Sequence, residues 1–174
     1  MEEAGLRITL AELELHRVTA LKTYEPGSLD YHGAEFRQTA PLKIAVKAEL
    51  VGDEIRICGH LATRLESTCD RCLAVVQIPV ELDFDLFYRP MQSLTADEDI
   101  EVPTAELEVG FYSGDGIELA DVATEQVILF VPMKVVCGTE CQGLCPVCGV
   151  NRNLTHCDCA APKRDSPFAS LQEG

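Results

Sequence analysis

Two segments of the chain, Cys69-Asp70-Arg71-Cys72 and Cys145-Pro146-Val147-Cys148, are two-residue knuckles. That spacing lets two thiolates reach one tetrahedral ion from a single tight turn. Gly149 follows the second knuckle at once, where such a turn calls for a residue without a Cβ. Cys157-Asp158-Cys159 supplies two more sulfurs, and Gly143, Pro146 and Asn151 keep the intervening segment a loop. Cys145, Cys148, Cys157 and Cys159 therefore make a local set of four. Cys137 and Cys141 have no knuckle partner nearby, and neither does the upstream knuckle, so the arithmetic suggests a second set of Cys69, Cys72, Cys137 and Cys141. Cys58 is left over as an ordinary small strand residue. His156, beside the last pair, could replace a sulfur, although an exposed loop histidine is more often simply solvated.

The chemistry these residues suit is structural zinc, one or two ions, with every ligand supplied by the protein and no open coordination position. The nine cysteines are an odd number and cannot all pair as disulfides within one chain. No catalytic residue stands out: the four histidines are scattered, and no glycine-rich phosphate loop or nucleophile constellation is present. The competing enzymatic reading is a thiol oxidoreductase, but neither knuckle opens a helix in a thioredoxin-like pattern. A zinc- or thiol-based redox-responsive protein is the other alternative, because zinc thiolates release metal on oxidation.

The elements that must position these sulfurs are mostly strands. Leu6, Ile8 and Leu10 suit a strand leading into a turn or short helix. Tyr24 to Ala40 carries Pro26-Gly27-Ser28 and His32-Gly33 and reads as a long loop. Leu42, Ile44, Val46, Ala48 and Leu50 alternate with Lys43, Lys47 and Glu49; after the turn at Gly52-Asp53, Ile55, Ile57, Gly59, Leu61, Thr63 and Leu65 resume the alternation, which predicts a hairpin. A third run places Ala74, Val76, Ile78, Val80, Leu82, Phe84, Leu86 and Tyr88 on one face, with Pro79 requiring an edge or a bulge. The first knuckle thus falls between two long strands. Residues 91–104 are acidic and predicted to be mobile, and 106–111 predict a short strand. Leu119, Val122, Ala123, Val127 and Phe130 fall at helical spacing until Pro132, with Glu118 and Asp121 in the first turn. Ser166-Pro167 predicts the start of a short terminal helix.

The fold class expected is α+β: a twisted antiparallel sheet, open or barrel-like, with one main helix in residues 1–136, and a zinc-binding module with a tail in 137–174.

The net charge is −15, and thirteen of the 29 acidic residues lie between Glu81 and Glu125 with Arg89 as the lone base. Such a block repels nucleic acid, which is held mainly by Lys and Arg, and suits either a basic protein partner or a solvated face. No apolar run is long enough to span a bilayer, and the chain opens with two glutamates rather than a basic then apolar signal pattern. We expect a cytoplasmic protein with no membrane partner and no small-molecule substrate.

Several of these stretches, taken in order, resemble the YceD family, the large ribosomal RNA subunit accumulation proteins. They are Gly59, Cys69-Asp70-Arg71-Cys72-Leu73, Gly116-Ile117-Glu118-Leu119, Glu125, Val131-Pro132, Gly143 to Asn153 and Cys157-Asp158-Cys159, within a similarity running from about Leu42 to Leu171. The family often has Asn-Leu-Asn where this chain has Asn151-Arg152-Asn153, and Asp-Pro-Arg where it has Asp165-Ser166-Pro167. The resemblance implies a non-enzymatic role in ribosomal RNA accumulation or large-subunit biogenesis, and a gene commonly beside that of a zinc-ribbon ribosomal protein. Two partners fit. One is a basic ribosomal protein, shielded by the acidic block before assembly; the other is ribosomal RNA or the precursor large subunit, contacted through Arg64, Arg71, Arg152, Lys163 and Arg164.

Overall fold

A computed structural model describes residues 6–91 and 109–160. The elements are β1 (Arg7–Thr9), α1 (Leu10–Leu15), β2 (Val18–Tyr24), β3 (Phe36–Gln38), β4 (Leu42–Val51), β5 (Glu54–Thr68), β6 (Val75–Pro90), β7 (Val109–Tyr112), β8 (Gly116–Glu118) and α2 (Leu119–Phe130). Two compact units result: residues 1–67 with 77–133, and 68–76 with 134–174. The fold is mostly sheet with two helices, α+β in character.

The first unit is organised on the predicted hairpin. β4 and β5 pair from Lys43↔Ala62 to Val51↔Glu54 around Gly52-Asp53, with Gly52 at φ 67°, the left-handed conformation that glycine adopts without cost. The alternation sorts as the sequence dictates: Leu42, Ile44, Val46, Ile55, Ile57, Leu61 and Leu65 are buried, and the intervening side chains face outward. β6 continues the sheet, adding Val80, Phe84 and Tyr88 to the core. Leu119, Val122, Ala123 and Val127 of α2 close that core from the helix side. Gly59 leaves room for the Phe84 ring, which an added Cβ would meet at 2.9 Å, and Gly110 does the same beneath Tyr88 at 2.6 Å.

Several expectations need correction. The sheet is open, not barrel-like: its path runs β2-β4-β5-β6-β7, with β3 beside β5, and no pairing joins β2 to β7 among the described residues. Nor is it wholly antiparallel, because β7 pairs β6 in parallel from Phe87↔Val109 to Pro90↔Tyr112. Closure requires the edge strands to pair in a tilted, staggered register, and β2 and β7 instead remain the two ends of the strand path. The stretch read as a loop from Tyr24 to Ala40 contains β3, fixed by Gln38. This buried amide donates to the Tyr24 and Ala40 carbonyls at 2.9 and 2.8 Å and accepts from the Tyr31 hydroxyl at 2.9 Å, and tertiary bonds of this kind give a turn-rich sequence strand geometry. Glu118 is the N-cap of α2 and ends β8, which pairs with β1; Asp121 is the acid of the first turn. The expectations for 92–104, for 106–108 and for the terminal helix concern residues outside those described. No described helix is long and apolar enough to cross a membrane.

Candidate metal centres

The second unit consists of the first knuckle and the chain from Lys134 onward. Its two knuckles share one backbone design. The amide of Cys69 donates to the Ala74 carbonyl at 2.8 Å and that of Leu73 to the Cys69 carbonyl at 2.9 Å; the amide of Cys145 donates to Val150 at 2.8 Å and that of Gly149 to Cys145 at 2.9 Å. In both, the residue after the second cysteine takes a positive φ, 73° at Gly149 and 59° at Leu73. Gly149 suits this position, whereas Leu73 bears the cost of its Cβ. Its side chain is 65% exposed, so little packing offsets that cost.

These turns and the loops after them bring eight cysteines into two groups. Cys69, Cys72, Cys137 and Cys141 form one; Cys145, Cys148, Cys157 and Cys159 form the other, with the four sulfurs of each group within 4.8 Å of one another. In the first, Cys69 Sγ lies 3.9 Å from Cys141 Sγ and Cys72 Sγ lies 3.6 Å from Cys137 Sγ. A tetrahedral ion with sulfur bonds of about 2.3 Å holds its ligands about 3.8 Å apart, and a disulfide would require about 2.05 Å. Both groups can therefore hold a metal ion. Cys58 joins neither; it lies across from Lys47 in the sheet. His156 is outside the second group, 89% exposed, with Nε2 3.4 Å from Asp158.

Around the first group, hydrogen bonds fix the sulfurs and their loops. The Cys137 amide donates to Cys69 Sγ at 3.3 Å, and Asn153 Nδ2 donates to Cys141 Sγ at 3.4 Å. Asp70 ties the knuckle to the chain before Cys137: its amide donates to the Val135 carbonyl at 2.9 Å, and its carboxylate accepts the Val135 amide at 2.7 Å. Arg71 Nη1 donates to the Cys141 carbonyl at 3.1 Å, and the Arg71 carbonyl accepts the Leu144 amide at 2.9 Å. That carbonyl lies 2.9 Å from where a Cβ on Gly143 would sit, and Gly143 has φ 71°. Arg71 is thus a structural clasp, whereas Arg152 is exposed and Lys163 and Arg164 fall outside the described residues.

The thiols respond to these surroundings in opposite directions. Burial alone would raise Cys69, but the amides of Arg71, Cys137 and Cys72 outweigh it and bring the thiol down to about 6. The amides of Cys148 and Val147 bring Cys145 down to about 6 as well. The neighbouring sulfurs of Cys141 and Cys148 push Cys137 and Cys159 up to about 12. Each knuckle thus favours a thiolate at its first cysteine, and a cation is what would allow Cys137 and Cys159 to ionise beside it.

Sequence reasoning missed Asn153 and Asp70 as supports of the first group. An Asn-x-Asn loop between two cysteine pairs carries no signal of which sulfur it serves.

A family model described as large ribosomal RNA subunit accumulation protein YceD matches residues 57–173. An uncharacterized protein of Mycobacterium tuberculosis (strain ATCC 25618 / H37Rv) is 30% identical over 80% of this chain and 63% of its own. One from Mycobacterium leprae is 27% identical over 64% of this chain and 49% of its own. A protein of Arabidopsis thaliana named large ribosomal RNA subunit accumulation protein YCED homolog 1, chloroplastic, is 20% identical over 79% of this chain and 49% of its own. The chain therefore spans less than two thirds of the length of these relatives. No solved structure matches it significantly.

Proposed function

Because the chain belongs to the YceD family, we propose that it is a non-enzymatic factor in the accumulation of large-subunit ribosomal RNA, built on two structural zinc ions and acting by binding a basic ribosomal protein. The observation that carries the zinc assignment is the pair of closed four-sulfur groups, Cys69, Cys72, Cys137 and Cys141, and Cys145, Cys148, Cys157 and Cys159. Zinc prefers such tetrahedral sulfur sets in structural roles, and four protein ligands leave no position for a substrate. Each knuckle closes a tight turn instead of opening a helix, which weighs against thiol oxidoreductase chemistry. Zinc would supply the cohesion of the second unit, whose described part holds no helix and no long strand of its own beyond the ends of β5 and β6.

The net charge of −15 supports a basic protein as the partner. A second reading, direct contact with ribosomal RNA, is favoured by Lys43, Lys47 and Arg64 on the outward face of β4 and β5. None of the three has an ion-pair partner among the described residues, and the register sets Lys43 across from Ala62 and Lys47 across from Cys58. Binding of the zinc-loaded protein to isolated basic large-subunit ribosomal proteins and to isolated large-subunit RNA, each at low and raised salt, separates the two. The first reading expects a protein complex that weakens with salt. No protein partner at low salt would remove it.

A further inference from the structure

Beside α2 lies a groove of about 440 Å³ whose apolar lining includes Leu29, Ile128 and Leu129 and whose charged rim includes Asp30, Asp121 and Glu125. Leu129 is 71% exposed. No lysine or arginine lines the groove. Asp30 is engaged locally, accepting the His32 amide at 2.8 Å. No cation pairs with Asp121 or Glu125 among the described residues; the Tyr88 hydroxyl is a neutral neighbour of Glu125, and both carboxylates are exposed on consecutive turns of α2. Nearby, the Tyr24 hydroxyl is buried without a hydrogen-bond partner. Burial first, and then the charges of Glu118 and Asp121, hold its phenol up to about 12, so it stays neutral and adds no charge beside them.

We propose that this groove is a docking site for a basic amphipathic segment of a partner protein, its apolar residues seated on Leu129 and Ile128 and its Lys or Arg side chains reaching Asp121 and Glu125. The inference rests on the reading that the partner is a basic protein and names where it is held. Charge decides the occupant. A nucleic-acid strand would bring phosphates to a carboxylate rim, and a second copy of a chain of charge −15 would bring a matching negative field. A cationic segment gains from the rim electrostatically while an apolar contact fixes its register.

The test uses the full zinc-loaded chain and a synthetic helical peptide with leucine on one face and lysine on the flanks. Its controls are a peptide of the same composition in scrambled order and a single-stranded RNA. We expect salt-sensitive binding of the amphipathic peptide, weaker for the scrambled one, and a loss of about tenfold or more in affinity for Asp121→Asn with Leu129→Ser. A charge-matched control variant, Glu81→Gln, changes an exposed acid outside the groove lining and should bind as the parent does. Circular dichroism and zinc content establish that both variants are folded. Absence of peptide binding, equal weakening by the two variants, or groove variants that weaken RNA binding instead would overturn the proposal. If a basic ribosomal protein binds the parent and the groove variant equally, the site is wrong while the partner class stands. If no basic protein binds the parent, the partner class itself fails.

Discussion

Asn153 Nδ2 donates to Cys141 Sγ at 3.4 Å, while Asn153 Oδ1 accepts the Gln142 amide at 2.8 Å. Asn153 lies in the loop between Cys148 and Cys157, two members of the second sulfur group, yet its side chain serves the first. The spacing of the cysteines suggests two separable sites; this contact couples them.

Replacing Asn153 by Ala should therefore weaken metal retention at Cys69, Cys72, Cys137 and Cys141, although it removes no ligand. Residues that orient metal ligands typically contribute about 10- to 100-fold in affinity. Competition with a chelator, followed by cobalt–thiolate absorption, measures it. Asn153→Asp, which cannot donate and adds negative charge beside a thiolate, should be at least as harmful.

At Leu73 the expected sign is the opposite. Its φ of 59° is strained for leucine, and its counterpart in the second knuckle is Gly149 at 73°. Leu73→Gly should stabilise the metal-loaded protein by about 0.5–1 kcal/mol, read as a higher thermal midpoint at fixed zinc. Gly149→Leu should lower it by a similar amount.

In the first unit, Gly59→Ala places a Cβ against the Ala45 carbonyl, the Phe84 ring and Val46. Overpacking of this kind costs about 1–3 kcal/mol. Denaturant unfolding should show the loss, and zinc content should not change.

Metal affinity should fall as pH falls. Cys137 and Cys159 sit far above the ordinary thiol value, up to about 12, so they are protonated at neutral pH without metal and must release protons to bind it. Calorimetric titration in buffers of different ionisation enthalpy should report proton release at pH 7 and weaker binding at pH 6. Affinity independent of pH would contradict thiolate ligation.

How much of this was readable in the chain varied with the kind of order involved. The period-two runs from Leu42 to Tyr88 and the helix from Leu119 are local patterns, and their buried faces match them. The knuckle spacing is equally local, and the two sets of four sulfurs follow from counting which cysteines lack a partner. The capping box Thr9-Leu10-Ala11-Glu12, in which the Glu12 carboxylate accepts the Thr9 amide at 3.1 Å, was also there to be read and marks the start of α1. What stayed hidden depends on contacts distant in sequence: β3 is fixed by Gln38, β7 by parallel pairing with β6, and the supporting role of Asn153 by where its loop returns.

The proposal of two structural zinc ions is tested most directly by native mass spectrometry of the protein purified without added metal, alongside Cys72→Ser and Cys148→Ser. The sulfur groupings predict two zinc ions per chain, with zinc content reduced in each variant. Cys148→Ser should weaken the first site as well, through Asn153. A parent protein that carries no zinc and pairs these cysteines as disulfides, or variants that keep both ions, would contradict the proposal.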